Sequence, residues 1–166
     1  MELQNLIQRF SGTAEDQKKA IFSTLFIAGN QLQTLFDERI PEVSLKQFML
    51  LSVARQAWEP MTFTQLGVLL GCSRQNIKKL AEALERKGFV TVRRSPRDQR
   101  GLCVCPTEKA EAFFQNEFAL YQKELNYLFE VYTEAEVETL FTLLTRLYEG
   151  IQRLEEKSSH ENSSDL

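Results

Sequence analysis

Apolar residues recur at intervals of three and four along most of this chain, the spacing of amphipathic helices. Leu3, Leu6, Ile7 and Phe10 open the series. Ile21, Leu25, Ala28, Leu32 and Leu35 then share one face of a long helix predicted over about residues 14 to 38. A second helix starts after Ser44, carries Phe48, Leu51 and Arg55, and ends before Pro60. A short helix from Thr62 to Leu70 is expected to turn Leu66, Leu69 and Leu70 inward. The next repeats Ile77, Leu80, Ala81 and Leu84 at i, i+3, i+4 and i+7. The period then changes: Phe89-Val90-Thr91-Val92 and Leu102 to Cys105 read as the two strands of a hairpin. Helical spacing returns from about Thr107 to Val131 with Phe114, Phe118, Tyr121, Leu125 and Leu128.

A last helix begins at Thr133. Its Val137, Leu140, Leu144, Leu147, Ile151 and Leu154 keep a heptad rhythm that Phe141 and Tyr148 widen. The first and last helices hold more apolar stripe than the small central unit can cover. Because such faces must be buried, helix pairing between two subunits is the better reading than an ordinary helix on its own core.

The boundaries are marked by residue type. Ser44 with Gln47, Thr62 with Gln65 and Thr133 with Glu136 have the capping-box spacing. Ser73 is a natural N-cap, and Gly71 and Gly88 supply helix exits. Prolines 41, 60, 96 and 106 all fall where periodic segments stop.

Charge is segregated along the chain. Arg74, Lys78, Lys79, Arg86, Lys87, Arg93, Arg94, Arg97 and Arg100 stand against only Glu82, Glu85 and Asp98 between positions 74 and 100. That stretch is +6, and with a whole-chain charge of −3 the remainder carries −9. A basic island on an acidic body is the electrostatic footprint of a nucleic-acid reader.

Other function classes are narrowed by what is present. Three cysteines, Cys72, Cys103 and Cys105, with no C-x-x-C pair, argue against a disulfide framework or a zinc site. Their expected role is packing, with thiol sensing the lesser reading. The single histidine, His160, lies in the segment Ser158 to Leu166, read as a solvated tail. With one histidine, metal sites and histidine-based triads have little to build on. No nucleophile–base pair or phosphate loop is evident, so no enzyme and no cofactor are expected. No apolar run approaches the roughly 18 residues of a membrane span, the N-terminus does not read as a signal peptide, and a cytoplasmic location is expected.

The chemistry concentrates in the central segment. With Ile77, Leu80, Ala81 and Leu84 inward, Arg74, Gln75, Lys78 and Lys79, with Asn76 beside them, fall on or near the outward face of the helix capped by Ser73. A helix-turn-helix places such a second helix in the major groove, its first residues at base edges. Arg grips guanine through two hydrogen bonds, Gln and Asn do so with adenine, and Lys neutralises phosphate. The hairpin carries Arg93, Arg94, Arg97 and Arg100 toward its tip, and a guanidinium on a narrow finger suits the minor groove. Asp98 repels DNA; two residues from Arg100, it has the placement to orient that guanidinium through a charge-assisted hydrogen bond.

The run Leu66…Leu70-Gly71-Cys72-Ser73…Leu84-Glu85-Arg86-Lys87-Gly88-Phe89-Val90…Asp98-Gln99-Arg100…Thr107-Glu108-Lys109 resembles the winged helix-turn-helix of the multiple-antibiotic-resistance regulator (MarR) family. Asp98-x-Arg100 and Thr107-Glu108-Lys109 are its most specific marks, and the flanking helices match the family layout. Pro106 stands where the family usually has Leu, and Ala110 where it often has Gly.

The resemblance implies a mainly α protein with a two-stranded β-wing. Residues 1–40 and 107–157 would carry dimerisation helices, 41–106 the winged helix-turn-helix, and 158–166 a flexible tail. Ser73 to Lys87 would be the recognition helix and Arg93 to Arg100 the wing of an obligate homodimer. The implied function is a sequence-specific, double-stranded DNA-binding transcription regulator, by family default a repressor, on a pseudo-palindromic operator. The alternative is a winged-helix protein-interaction module, which the charged outward face of the recognition helix speaks against. Family members respond to small anionic or phenolic ligands, oxidants or metals. The cysteine of peroxide-sensing members, near the start of the first long helix, is absent here, and His160 alone cannot serve as a zinc set. A small aromatic or anionic effector, or none, remains. Phe48, Trp58, Phe113 and Phe114 could line its pocket, although core packing is the commoner role of such side chains.

Overall fold

The structure, a computed structural model, describes residues 8–9, 12–40, 42–96, 101–116 and 118–164. The predicted Leu3, Leu6, Ile7 and Phe10 stripe lies outside those residues. The described elements run α1 (Ala14–Arg39), α2 (Leu45–Gln56), β1 (Met61–Thr62), α3 (Phe63–Leu70), α4 (Arg74–Arg86), β2 (Val90–Arg94), β3 (Leu102–Pro106), α5 (Glu108–Asn116), α6 (Phe118–Phe129), α7 (Glu134–Thr145) and α8 (Leu147–Ser164). Packing separates two units, Met1–Phe113 and Phe114–Leu166.

All three capping boxes form. The Ser44 hydroxyl accepts from the Gln47 amide at 3.3 Å, while Gln47 Oε1 accepts from the Ser44 amide at 3.2 Å. Thr62 with Gln65 and Thr133 with Glu136 repeat the exchange. Each box satisfies backbone donors that a helix start otherwise leaves without partners.

The sheet of the first unit is antiparallel in the order β1-β3-β2. Val104 sits between Met61 on one side and Val92 on the other. The hairpin thus gains a third strand beyond the two expected, and at two residues β1 is too short to show any alternation in sequence. Its core joins Leu50 and Leu51 of α2, Leu66 of α3, Ile77, Ala81 and Leu84 of α4, and Val90 and Val104 of the sheet, all at most 1% exposed. Burying each of its leucine, isoleucine and valine side chains contributes about 1.5–3 kcal/mol.

The inward stripe of α3 differs from expectation. Leu66 is buried and Leu70 half-buried, but Leu69 is 60% exposed. The buried positions are Phe63, Leu66 and Gly67, so a glycine occupies an inward slot and Leu69 lies beside the stripe. That glycine allows a close approach: a Cβ there would stand 2.7 Å from the Cys72 carbonyl oxygen. The Cys72 amide in turn donates to the Gly67 carbonyl at 2.8 Å, and Gly71 makes the exit with a left-handed φ of 62°.

In the second unit the helix expected from Thr133 onward is two helices, α7 and α8, parted at Arg146. The Thr145 hydroxyl donates back to the carbonyls of Phe141 (2.8 Å) and Thr142 (3.1 Å), the kind of competing bond that bends a helix. Helix α8 runs to Ser164, through most of the segment read as a tail; the Ser158 hydroxyl donates to the Leu154 carbonyl at 3.0 Å. Every residue from Asn126 to Ser158 is exposed, including Val137, Leu140, Leu144, Leu147, Ile151 and Leu154. Between α5 and α6 lies residue 117, outside the described residues, so the single helix expected over Thr107 to Val131 is seen as these two segments.

Candidate nucleic-acid interface

Helix α4 begins at Ser73, whose hydroxyl accepts from the Asn76 amide at 3.2 Å. Ile77, Ala81 and Leu84 are fully buried, which fixes the rotation of the helix about its axis. Ser73, Arg74, Gln75, Asn76, Lys78 and Lys79 are all exposed as a consequence. The first turn of α4 holds no acidic residue, so its partial positive charge is not offset there. Lys78 lies 3.7 Å from Glu82 one turn on, an exposed pair of little energetic weight.

The far end of α4 is a joint, and several residues that stand out in the sequence build it. Gly88, at φ 79°, lets the chain reverse, with the Gly88 amide on the Glu85 carbonyl and the Phe89 amide on the Leu84 carbonyl, both at 2.9 Å. Lys87 Nζ donates to the Glu42 carbonyl at 2.8 Å and to Gln47 Oε1 at 3.0 Å. Lys109 Nζ donates to the Lys87 carbonyl at 3.0 Å and sits 4.4 Å over the Phe89 ring. The Thr107 hydroxyl donates to the carbonyls of Gly88 (2.7 Å) and Phe89 (3.1 Å). The two departures from the family pattern fall at this joint: Pro106 closes β3 opposite Val90, and Ala110 is fully buried.

The wing leaves from there. Glu85 Oε1 accepts from the Val92 amide of β2 at 2.7 Å, a bond between helix and hairpin that sequence spacing did not reveal. Arg93 and Arg94 are exposed at the outer end of β2, and the Ser95 amide meets the Gly101 carbonyl at 2.8 Å. Arg97, Asp98, Gln99 and Arg100 lie outside the described residues, and with them the expected Asp98–Arg100 bond.

The thiols sit close to this region. Cys103 is buried and its Sγ lies 3.4 Å from the Arg93 carbonyl, while Cys72 and Cys105 are half-buried. Burial, and then the neighbouring Cys105, push the Cys103 thiol above its usual range, which disfavours the reactive thiolate. Among the described residues no group of three or more His, Cys, Asp or Glu is arranged to hold a metal ion.

Of the four aromatics considered for a pocket, Phe48, Phe113 and Phe114 are buried. Phe48 packs on Phe36 at 5.2 Å between centroids, and Phe113 meets Phe89 edge-on at 5.5 Å. Trp58 is fully exposed at a cavity of about 240 Å³ lined by Ala54, Arg55, Pro60, Val104 and Glu111. Arg55 Nε and Glu111 Oε2 meet at 2.9 Å in that lining.

Residues 43–102 match the MarR family model. The chain is 27% identical over 101 residues to the uncharacterised HTH-type transcriptional regulator YcgE of Bacillus subtilis, covering 58% of this chain and 66% of that protein. It is 27% identical over 93 residues to the transcriptional repressor MprA of Escherichia coli K12, covering 56% and 53%. The chain therefore spans about two-thirds or less of the length of these relatives. Among solved structures, a MarR transcriptional regulator from Methanosarcina mazei superposes with a TM-score of 0.74 at 17% identity, over 82% of this chain and 99% of the other. MepR of S. aureus, solved in complex with DNA, gives 0.68 at 16% identity over 78% and 97%. FabT of Streptococcus pneumoniae, also with DNA, gives 0.61 at 20% over 82% and 99%. At these identities the structures show the shared fold. The central segment, residues 43–102, is thus similar to the MarR family model and to HTH-type regulators, and the solved MarR-family structures share the winged-helix fold of this chain.

Proposed function

We propose that the chain is a homodimeric, sequence-specific DNA-binding transcription regulator. The observation that carries this reading is the two-faced α4: Ile77, Ala81 and Leu84 are fully buried, and Ser73, Arg74, Gln75, Asn76, Lys78 and Lys79 all face solvent. Arg74 and Gln75 meet base edges in the major groove, Lys78 and Lys79 the phosphates. The wing, through Arg93, Arg94, Arg97 and Arg100 with Asp98 as orienter, reaches the flanking minor groove. MepR and FabT are solved with DNA on the same fold, which supports the docking mode.

Dimerisation is supported within each unit by apolar side chains left at the surface. In α1, Ile21, Phe22, Phe26 and Leu35 are about half exposed or more; in α7 and α8, Leu144, Tyr148 and Leu154 are the same. Large apolar side chains exposed in this number on one helix favour an interaction surface. Two subunits would place the recognition helices about one helical turn apart on a pseudo-palindrome. Repression by promoter occupancy is the default, and MprA is named a repressor. A small aromatic or anionic effector would have the cavity beside Trp58 as its site. A cytoplasmic location accords with this function; among the described residues no helix is long and apolar enough to cross a membrane.

The deciding experiment is selection of binding sites from random-sequence DNA, followed by binding to the segment directly upstream of the chain's own coding region. An inverted repeat recovered by selection and found in that segment is the expected result. Equal affinity for all sequences would overturn the reading.

A further inference from the structure

We infer that Glu85 is a positioning residue that sets the wing relative to the helix in the major groove, so that both elements read DNA in one register. The inference rests on the regulator reading above. Four sets of bonds join the end of α4 to the hairpin and α5. Those of Gly88 and Phe89, of Thr107 and of Lys109 all hold the base of the hairpin. The fourth reaches further out: the Glu85 carboxylate accepts from Val92, in the middle of β2, at 2.7 Å across seven residues of chain. In the order β1-β3-β2, β2 is an edge strand, and the bond occupies an amide that β3 does not use. Edge amides otherwise stay open to water, and an ionised acceptor makes the bond strong. A carboxylate inside a basic island also repels phosphate, so its presence there costs affinity. Orienting the strand that ends in Arg93 and Arg94 offsets that cost.

The test uses Glu85→Ala and Glu85→Gln in the full chain, on synthetic duplexes bearing the inverted repeat selected by the wild type, with A·T-rich or G·C-rich flanks. Both variants remove the same negative charge, so electrostatics alone moves both alike. Glutamine keeps an oxygen for the Val92 amide; alanine does not. The expected result is a wild-type flank preference in Glu85→Gln and a preference within about twofold of unity in Glu85→Ala. Discrimination against a base change inside the half-site stays within about threefold in both. Amide exchange at Val92, measured without DNA, should quicken about tenfold or more in Glu85→Ala and stay near wild type in Glu85→Gln. Should Glu85→Ala melt early, Glu85→Met, of similar length, uncharged and without an oxygen for the Val92 amide, takes its place. Equal flank preference in the alanine and glutamine variants overturns the inference, as does parallel loss of flank and half-site discrimination. If the wild type selects no repeat, the regulator reading fails by itself. Unchanged Val92 exchange in Glu85→Ala, by contrast, overturns the role of Glu85 alone.

Discussion

Lys87 Nζ donates to the backbone carbonyl of Glu42 at 2.8 Å, which ties the last turn of α4 to the start of α2. Its charge lies in the basic island by sequence, yet its ammonium is engaged with the body of the domain. Lys87→Met is expected to lower unfolding free energy by about 1 kcal/mol, a value reduced for the exposure of the bond. The salt dependence of DNA binding should barely change. Denaturant unfolding and a salt series of DNA titrations check the two halves; a slope reduced as much as by loss of a phosphate contact would contradict the assignment.

Lys79 is the contrasting case, exposed on the outward face of α4. With about four phosphate contacts per subunit and eight per dimer, log affinity should fall with log salt at a slope near −7. Lys79→Ala should weaken binding to all sequences alike and flatten that slope by about one unit. Affinity indifferent to salt would remove the electrostatic footing of the model.

Arg74→Ala is expected to cost about 1–3 kcal/mol at the cognate site and relax one base position. Arg100→Ala should act through the flanks, most where they are A·T-rich and narrow-grooved. Asp98→Ala should weaken binding if Asp98 holds Arg100, although it removes a negative charge. Titrations against operators with the two kinds of flank separate these effects. Tighter binding by Asp98→Ala with no flank dependence would reduce the wing to a diffuse positive surface.

Leu144 and Leu147 are 46% and 40% exposed on α7 and α8. Replacing both with glutamate should abolish the proposed dimer, since each substitution sets an unpaired charge into an apolar contact. Because folding of such dimers is linked to association, wild-type stability should rise with protein concentration and the variant's should not. Sedimentation velocity at micromolar concentration reads the outcome directly; a monomeric wild type would contradict the assembly.

The third capping box differs from the others in using an acid. Bonds from the Thr133 backbone and then its side chain hold the Glu136 carboxyl below the ordinary glutamate range. A depressed folded value means stability present above the unfolded value and lost as pH falls through the folded one. The start of α7 should therefore loosen in acid. The start of α3, boxed by the uncharged Gln65, should not loosen in this way. Glu136→Gln should keep the helix start and abolish its pH response. Amide exchange at Glu136 across the acid range checks this.

Features carried by short-range chemistry were legible in the sequence. Ser44, Thr62, Ser73 and Thr133 mark helix starts because their hydroxyls meet amides three residues on, a relation independent of tertiary context. The burial of Ile77, Ala81 and Leu84, and so the exposure of Arg74 and Lys79, follows from period alone. What failed depended on partners distant in sequence. Leu69 is displaced from the core because Gly67 occupies an inward position, and a glycine does not register in an apolar pattern. Strand β1 exists only because Val104 and Cys103 lie beside it. The anchoring of Lys87, counted only as part of the basic island, does not show in sequence because its acceptors, Glu42 and Gln47, are 45 and 40 residues away.

The missing methyl at Gly67 bears on how this scaffold could be re-engineered. A side chain there would run into the Cys72 carbonyl, a backbone atom that cannot swing aside. The turn would have to move, and Ser73 and all of α4 with it. On the proposed reading the exposed side chains at 74, 75, 78 and 79 carry the half-site preference, so a new preference would be sought by editing those positions with position 67 held. A library that also randomised position 67 would shift the whole reading head and lose the register that makes any of those edits meaningful.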